Sequence, residues 1–144
     1  MPTMSKLLKF LSALVAVSVG FFATDLIDFF QASPKVSLDS YCQLSTEACT
    51  QDGVIISMNQ DTAQPLQPFN LNVQWASSQN DKLMLTLEGH EMDMGTARFA
   101  IARTLNGEYQ ADVLLPACTM DDMTWIGTLS DGKQSVNVAI RMAR

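Results

Sequence analysis

The chain has 144 residues, 15 acidic against 9 basic side chains, and a formal net charge of −6, which suits one domain with an appendage. The acidic balance, and the lack of a basic stripe with interleaved aromatics, exclude nucleic acid as the expected partner. With His90 as its one histidine and no Gly-x-Ser-x-Gly, His-Glu-x-x-His, Cys-x-x-Cys or glycine-rich phosphate loop, the chain is expected not to be an enzyme.

Lys6 and Lys9 precede an uncharged apolar run from Phe10 to Ala23, and Asp25 and Asp28 follow it. Counting Leu7 and Leu8, the run just reaches the roughly 17–25 residues that cross a bilayer, and Lys9 can snorkel to the headgroups. Lysines before and aspartates after place the N-terminus in the cytoplasm. Residues 1–30 therefore predict a signal-anchor, a single transmembrane helix in an inner membrane, with the remainder in the periplasm. The alternative is a signal peptide cut near Ser18-Val19-Gly20, which would secrete the domain to the periplasm. No cysteine adjoins the run, so a lipoprotein anchor is not expected. Residues 31–40 are small and polar with one proline and read as a linker. The domain then spans 41–144.

Cys42 and Cys49 lie close together in a polar segment. They predict a local disulfide that pins the N-terminal loop and stabilises modestly, since short loops gain least. The alternative, a dithiol metal or redox pair, lacks the Cys-x-x-Cys spacing. Cys118 is left over, and an odd thiol in an exported protein needs a role.

Period-two patterns follow. Val54 to Met58 is a short apolar strand opened by Asp52-Gly53. Phe69, Leu71, Val73 and Trp75 alternate with Asn70, Asn72 and Gln74, and Leu83, Leu85 and Leu87 alternate with Met84, Thr86 and Glu88. Two arms, Thr96 to Leu105 and Glu108 to Leu115, flank Asn106-Gly107, the strongest short hairpin signal. Ala97, Ala100 and Ala102 keep a helix open for the first arm. Trp125 to Leu129 and Val136 to Met142 complete the set, with Asp131-Gly132 as a further turn signal. About seven short strands at turn-spaced intervals predict an all-β, immunoglobulin-like antiparallel β-sandwich. The immunoglobulin pattern of bridging cysteines is missing.

Soft donors gather in two segments, Gly89-His90-Glu91-Met92-Asp93-Met94-Gly95 and Pro116-Ala117-Cys118-Thr119-Met120-Asp121-Asp122-Met123. If Asn106-Gly107 closes a two-residue loop, Leu105 faces Glu108, and carried outward Gly95 faces Cys118 and Met94 faces Thr119. Thiolate and thioether are the ligands that select Cu(I). Met92, Met94, Cys118 and Met120 are the candidate ligands, with His90 or Met123 completing the set. Met-x-Met in extended chain would turn both sulfurs to one side. The bland alternative is that methionine fills an irregular core end and Cys118 is a small buried hydrophobe. The acidic pair Asp121-Asp122 lacks the further oxygen ligands a hard cation wants.

The pattern Gly89-x-x-Met92-x-Met94-Gly95, then Gly107-x-Tyr109, Leu115-Pro116 and Trp125, resembles the FixH/YtkA-like family over about residues 54–142. That resemblance implies a small anchored or secreted β-sandwich linked to copper handling or cytochrome-oxidase assembly, binding without turnover. Only Met92 and Met94 carry over as motif matches, and the single histidine departs from copper chaperones of the His-Met type. The expected function is a membrane-anchored periplasmic accessory protein that binds copper or assists a respiratory oxidase or its assembly factors. The alternatives are a non-metal interaction module of the cell envelope and a thiol-redox accessory using Cys42 and Cys49.

Overall fold

The alternating segments of the sequence become strands that each bury one side. In the computed structural model the described residues are 37–144 together with Leu8, Lys9, Leu11, Ser12 and Val15. Those five early residues are helical, and the rest of the predicted anchor lies outside the described residues. Among the described residues no helix is long and apolar enough to cross a membrane, so the expected transmembrane helix finds no support there.

After a short 3-10 turn at Leu38–Ser40 come nine strands: β1 (Cys42–Leu44), β2 (Cys49–Gln51), β3 (Val54–Met58), β4 (Pro68–Trp75), β5 (Lys82–Gly89), β6 (Thr96–Arg103), β7 (Tyr109–Leu114), β8 (Asp122–Ser130) and β9 (Ser135–Ala143). The predicted seven are β3 to β9, and the arm with a helical alternative is strand β6. The all-β class holds, with two corrections. There are nine strands, and the sheet is mixed, because β1 runs parallel to β9 through Cys42↔Val138 and Leu44↔Ile140. The two extra strands have three residues each, too few for a period to be read. Their partners impose them.

All nine strands form one sheet in the order β1-β9-β8-β5-β6-β7-β4-β3-β2. Its two outermost strands, β1 and β2, are consecutive in the chain and joined by the Cys42–Cys49 disulfide, with a Cα–Cα separation of 5.8 Å. The sheet therefore curls until its ends meet and is nearly closed around one core. The bond foreseen as a local pin ties the two edges of the sheet together. Leu71, Val73, Leu85, Leu87, Trp125 and Ile140 are fully buried inside, each contributing about 1.5–3 kcal/mol of transfer free energy.

Turn chemistry sets the registers. Asp52 (φ +52°) and Gly53 (φ +78°) are both left-handed and close the two-residue β2–β3 hairpin, as a type I′ turn requires. The Asn106-Gly107 turn departs from expectation. The Gly107 N–H donates to Thr104 O (3.0 Å) and the Thr104 N–H to Glu108 O (2.7 Å). Leu105, Asn106 and Gly107 thus form a three-residue loop with Gly107 at φ +85°, the arrangement of a type I turn followed by a bulge. The pairing shifts by one residue, to Arg103↔Tyr109 and Ala102↔Gln110, and ends there. Beyond it β6 stays with β5 and β7 stays with β4. The β8–β9 turn centres on Gly132-Lys133, where the Asp131 carboxylate accepts the Lys133 and Gln134 N–H groups (2.9 and 2.8 Å).

Because the disulfide closes the sheet, replacing Cys42 and Cys49 together by alanine should cost about 2–3 kcal/mol in equilibrium urea unfolding. Amide exchange should quicken first in β1 and β2. Unchanged stability and exchange would contradict closure by this bond.

Candidate soft-donor site

Both methionine-bearing segments lie at one pole of the domain. β5 ends there at Gly89 and β8 begins there at Asp122, since the two strands pair antiparallel down to Gly89↔Trp125. β7 ends at the same pole: the Leu66 N–H donates to Leu115 O (3.0 Å), and the loop carrying Leu66 is bridged at Ala63 to Met142 near the end of β9. The segments are therefore neighbours, but β5–β8 pairing makes them so. The hairpin expected to place Gly95 opposite Cys118 and Met94 opposite Thr119 does not, because its arms part after two pairs.

Local bonds fix the first segment. The His90 N–H donates to Thr124 O (2.9 Å), and the Thr124 N–H donates to Glu91 Oε2 (2.7 Å). Asp93 Oδ1 accepts the Gly95 N–H (2.9 Å), and Gly95 reverses the chain at φ +71°. Asp93 is exposed while Met92 and Met94 on either side are half-buried. Of the two, Met94 packs against the core. Gly89 is the point of closest approach. A Cβ there would lie 2.1 Å from Met92 O and 2.8 Å from Met123 Cε, so the backbone of the first segment and the side chain of the second converge on a position only glycine fits.

The second segment alternates likewise, with Cys118 buried, Thr119 exposed and Met120 half-buried. The Cys118 thiol donates to Met120 O (3.4 Å), curling the loop. The Arg144 guanidinium donates to Cys118 O (2.7 Å) and the Arg144 N–H to Asp121 O (3.0 Å). Arg141 pairs with Asp122 at the start of β8; both are exposed, and such a pair is worth at most about 1 kcal/mol.

The six candidate ligands divide by burial. Met123 is 1 % exposed and belongs to the core, and Cys118 is 6 % exposed at its margin. Met94 and Met120 are half-buried and pack against that same core, and Met92 is half-buried on the loop. His90 is exposed. Among the described residues no three His, Cys, Asp or Glu side chains gather as a metal-binding group. A shallow depression of about 430 Å³ at this pole is lined by Gln64, Pro65, Leu66, Gln67, Ala117 and Arg144. None of the soft donors lines it.

Sequence reasoning missed the supports: Gly89, Glu91, Thr124 and Arg144. Glu91 stands within the methionine motif, but its acceptor role needs the β5–β8 register. Gly89 ends an alternating run, which is a signal for close backbone approach.

Comparisons with protein-family models, curated proteins and solved structures each found no match to this chain.

Partial burial raises the Glu91 carboxyl, but the hydrogen bonds from Thr124, with smaller help from its own N–H and from His90, outweigh this and hold its pKa below the ordinary carboxylate value. A lowered folded-state pKa contributes stability at neutral pH that is lost as pH falls through the folded value. Wild type should therefore be more stable than Glu91→Gln at pH 7, and the gap in urea unfolding should be smaller at an acid pH below the ordinary carboxylate value. An equal gap at both pH values would contradict the carboxylate's role. Gly127 lies under the same pairing, where a Cβ would meet Thr86 O at 1.8 Å and Leu87 Cα at 2.9 Å. Gly127→Ala should cost about 1–3 kcal/mol or more by forcing the strands apart, and thermal unfolding checks it.

Proposed function

We propose that this chain is a copper-binding accessory protein of the cell envelope that holds Cu(I) at the methionine pole. The carrying observation is that Met92 and Met94 on one loop, and Met120 two residues from the Cys118 thiol on the other, are half-exposed at the same pole. The donor set suits a soft monovalent ion: one thiol, several polarizable sulfurs, and no gathered carboxylates. Cys118 would bind as thiolate, giving up the proton it now shares with Met120 O. Met123 fills the core beneath, and His90 stands on the rim.

The same reading takes the fold as immunoglobulin-like. The order β3-β4-β7 on one side and β6-β5-β8-β9 on the other supports it. Likeness to the FixH/YtkA-like family, an inner-membrane anchor within residues 1–30, a periplasmic domain and service to a respiratory oxidase belong to the same proposal. The disulfide favours an oxidising compartment. Binding without turnover is the role proposed.

Titration of the full-length chain with Cu(I) against a competing chelator, without oxygen, tests this. One Cu(I) per chain is expected. Cys118→Ser combined with Met94→Leu and Met120→Leu should weaken binding by about tenfold or more, equivalent to at least about 1.4 kcal/mol. Uptake unaffected by those substitutions would overturn the assignment.

A further inference from the structure

A thioether that reaches solvent can accept an oxygen atom as well as a soft metal, and the fold sorts its methionines by that access. Met58, Met123 and Met142 are sealed, at 4 %, 1 % and 1 % exposure. Met123 and Met142 are partners across β8 and β9, and the loop after Met58 bridges to Met142 at Ala63. On the two loops of that same pole, Met92, Met94 and Met120 are half-buried. Met84 stands apart, 40 % exposed near the start of β5.

Two of the accessible thioethers also hold structure. Met94 and Met120 pack against the hydrophobic core, whereas Met92 does not. Met94 precedes Gly95, where the chain reverses at φ +71°. Met120 holds its loop twice over, by its side chain on the core and by its carbonyl, which accepts the Cys118 thiol (3.4 Å). Cys118 is only 6 % exposed. Oxidation turns the flexible apolar side chain into a polar one. Set against hydrocarbon, the new oxygen would give up water for no hydrogen bond, which is costly. The side chain then moves out to solvent and draws its loop with it.

We infer that Met94 and Met120 form a reversible oxidation site that latches the two loops to the core. Hydrogen peroxide transfers one oxygen atom to each thioether. The O–O bond breaks, an S=O bond forms, sulfur loses two electrons and water leaves. A dithiol acting through a methionine sulfoxide reductase reverses the step; its two thiols become a disulfide and the oxygen leaves as water. Oxidation at these two positions releases residues 90–95 and 116–121 while β5 and β8 stay paired. The reaction needs no metal, so the inference does not rest on copper binding.

The test uses the full-length chain with a metal chelator present throughout. Cys118 is free while Cys42 and Cys49 are bonded to each other, so maleimide labelling followed on the Cys118 peptide reports the second loop. After peroxide treatment, peptide mass mapping should find oxygen on Met84, Met92, Met94 and Met120 before Met58, Met123 and Met142. In chains that keep their thiol, Cys118 should then label at least tenfold faster. Amide exchange should quicken in residues 90–95 and 116–121 but not in β5 and β8. Methionine sulfoxide reductase with a dithiol should restore the slow labelling. Met94→Leu combined with Met120→Leu keeps the apolar packing and still takes oxygen at Met84 and Met92, yet should label at the unoxidised rate after peroxide. Met120→Gln, polar from the start, should label faster without peroxide. Labelling no faster in the oxidised wild type, equal acceleration in the leucine variant, or acceleration with lost exchange protection across β5 and β8 would each overturn the inference.

Discussion

The antiparallel pairing of β5 with β8 is the constraint on which the rest depends. It runs from Met84↔Ser130 to Gly89↔Trp125 and admits no side chain at two places, Gly127 beneath Thr86 and Gly89 beneath Met92. Those glycines let the strands and the following loop approach closely enough for the ladder to continue into side-chain bonds. Glu91 then takes the Thr124 N–H, and the methionine loop is moored to the strand that begins with the other methionine segment. Without this ladder the two segments would belong to separate loops with no fixed relation.

Closure of the sheet is the complementary constraint. Strands β1 and β2 are too short to hold by their own side chains, and each leans on one neighbour, β9 or β3. The disulfide makes each the anchor of the other. This is a larger role than its seven-residue separation suggests, because the loop it closes is small while the strands it joins are the far ends of the sheet order. The acidic side chains do comparable local work. Hydrogen bonds from the Thr46 hydroxyl and N–H to Asp61 tie the loop after β1 to the loop after β3 and lower the pKa of that carboxyl.

Much of this was legible in the residues. Strict alternation in Phe69 to Trp75 or Val136 to Met142 has one physical reading, and those strands lie where the pattern puts them. Cys42 and Cys49 were readable as a bond, though not as a clasp between sheet edges. Two things were not legible. Strands of three residues carry too little periodicity to announce themselves. The register after Asn106-Gly107 depends on whether Gly107 is the second central residue of a tight turn or the bulge of a longer one, and the dipeptide suits both. That one-residue difference, and the parting of the arms, removed the expected route to the methionine cluster. The two segments are neighbours because β5 and β8 pair, which no local motif encodes.

The central claim is that Met92, Met94 and Met120, with Cys118, act as one soft-donor set. Methionine-methyl NMR of the chain labelled at its methionine methyl carbons tests it most directly, because Cu(I) is diamagnetic and each thioether reports separately. On addition of one equivalent of Cu(I), the account predicts that the methyl resonances of Met92, Met94 and Met120 shift together while that of Met58, buried in β3, stays in place. Shifts absent from all three, or spread evenly over every methionine, would contradict it.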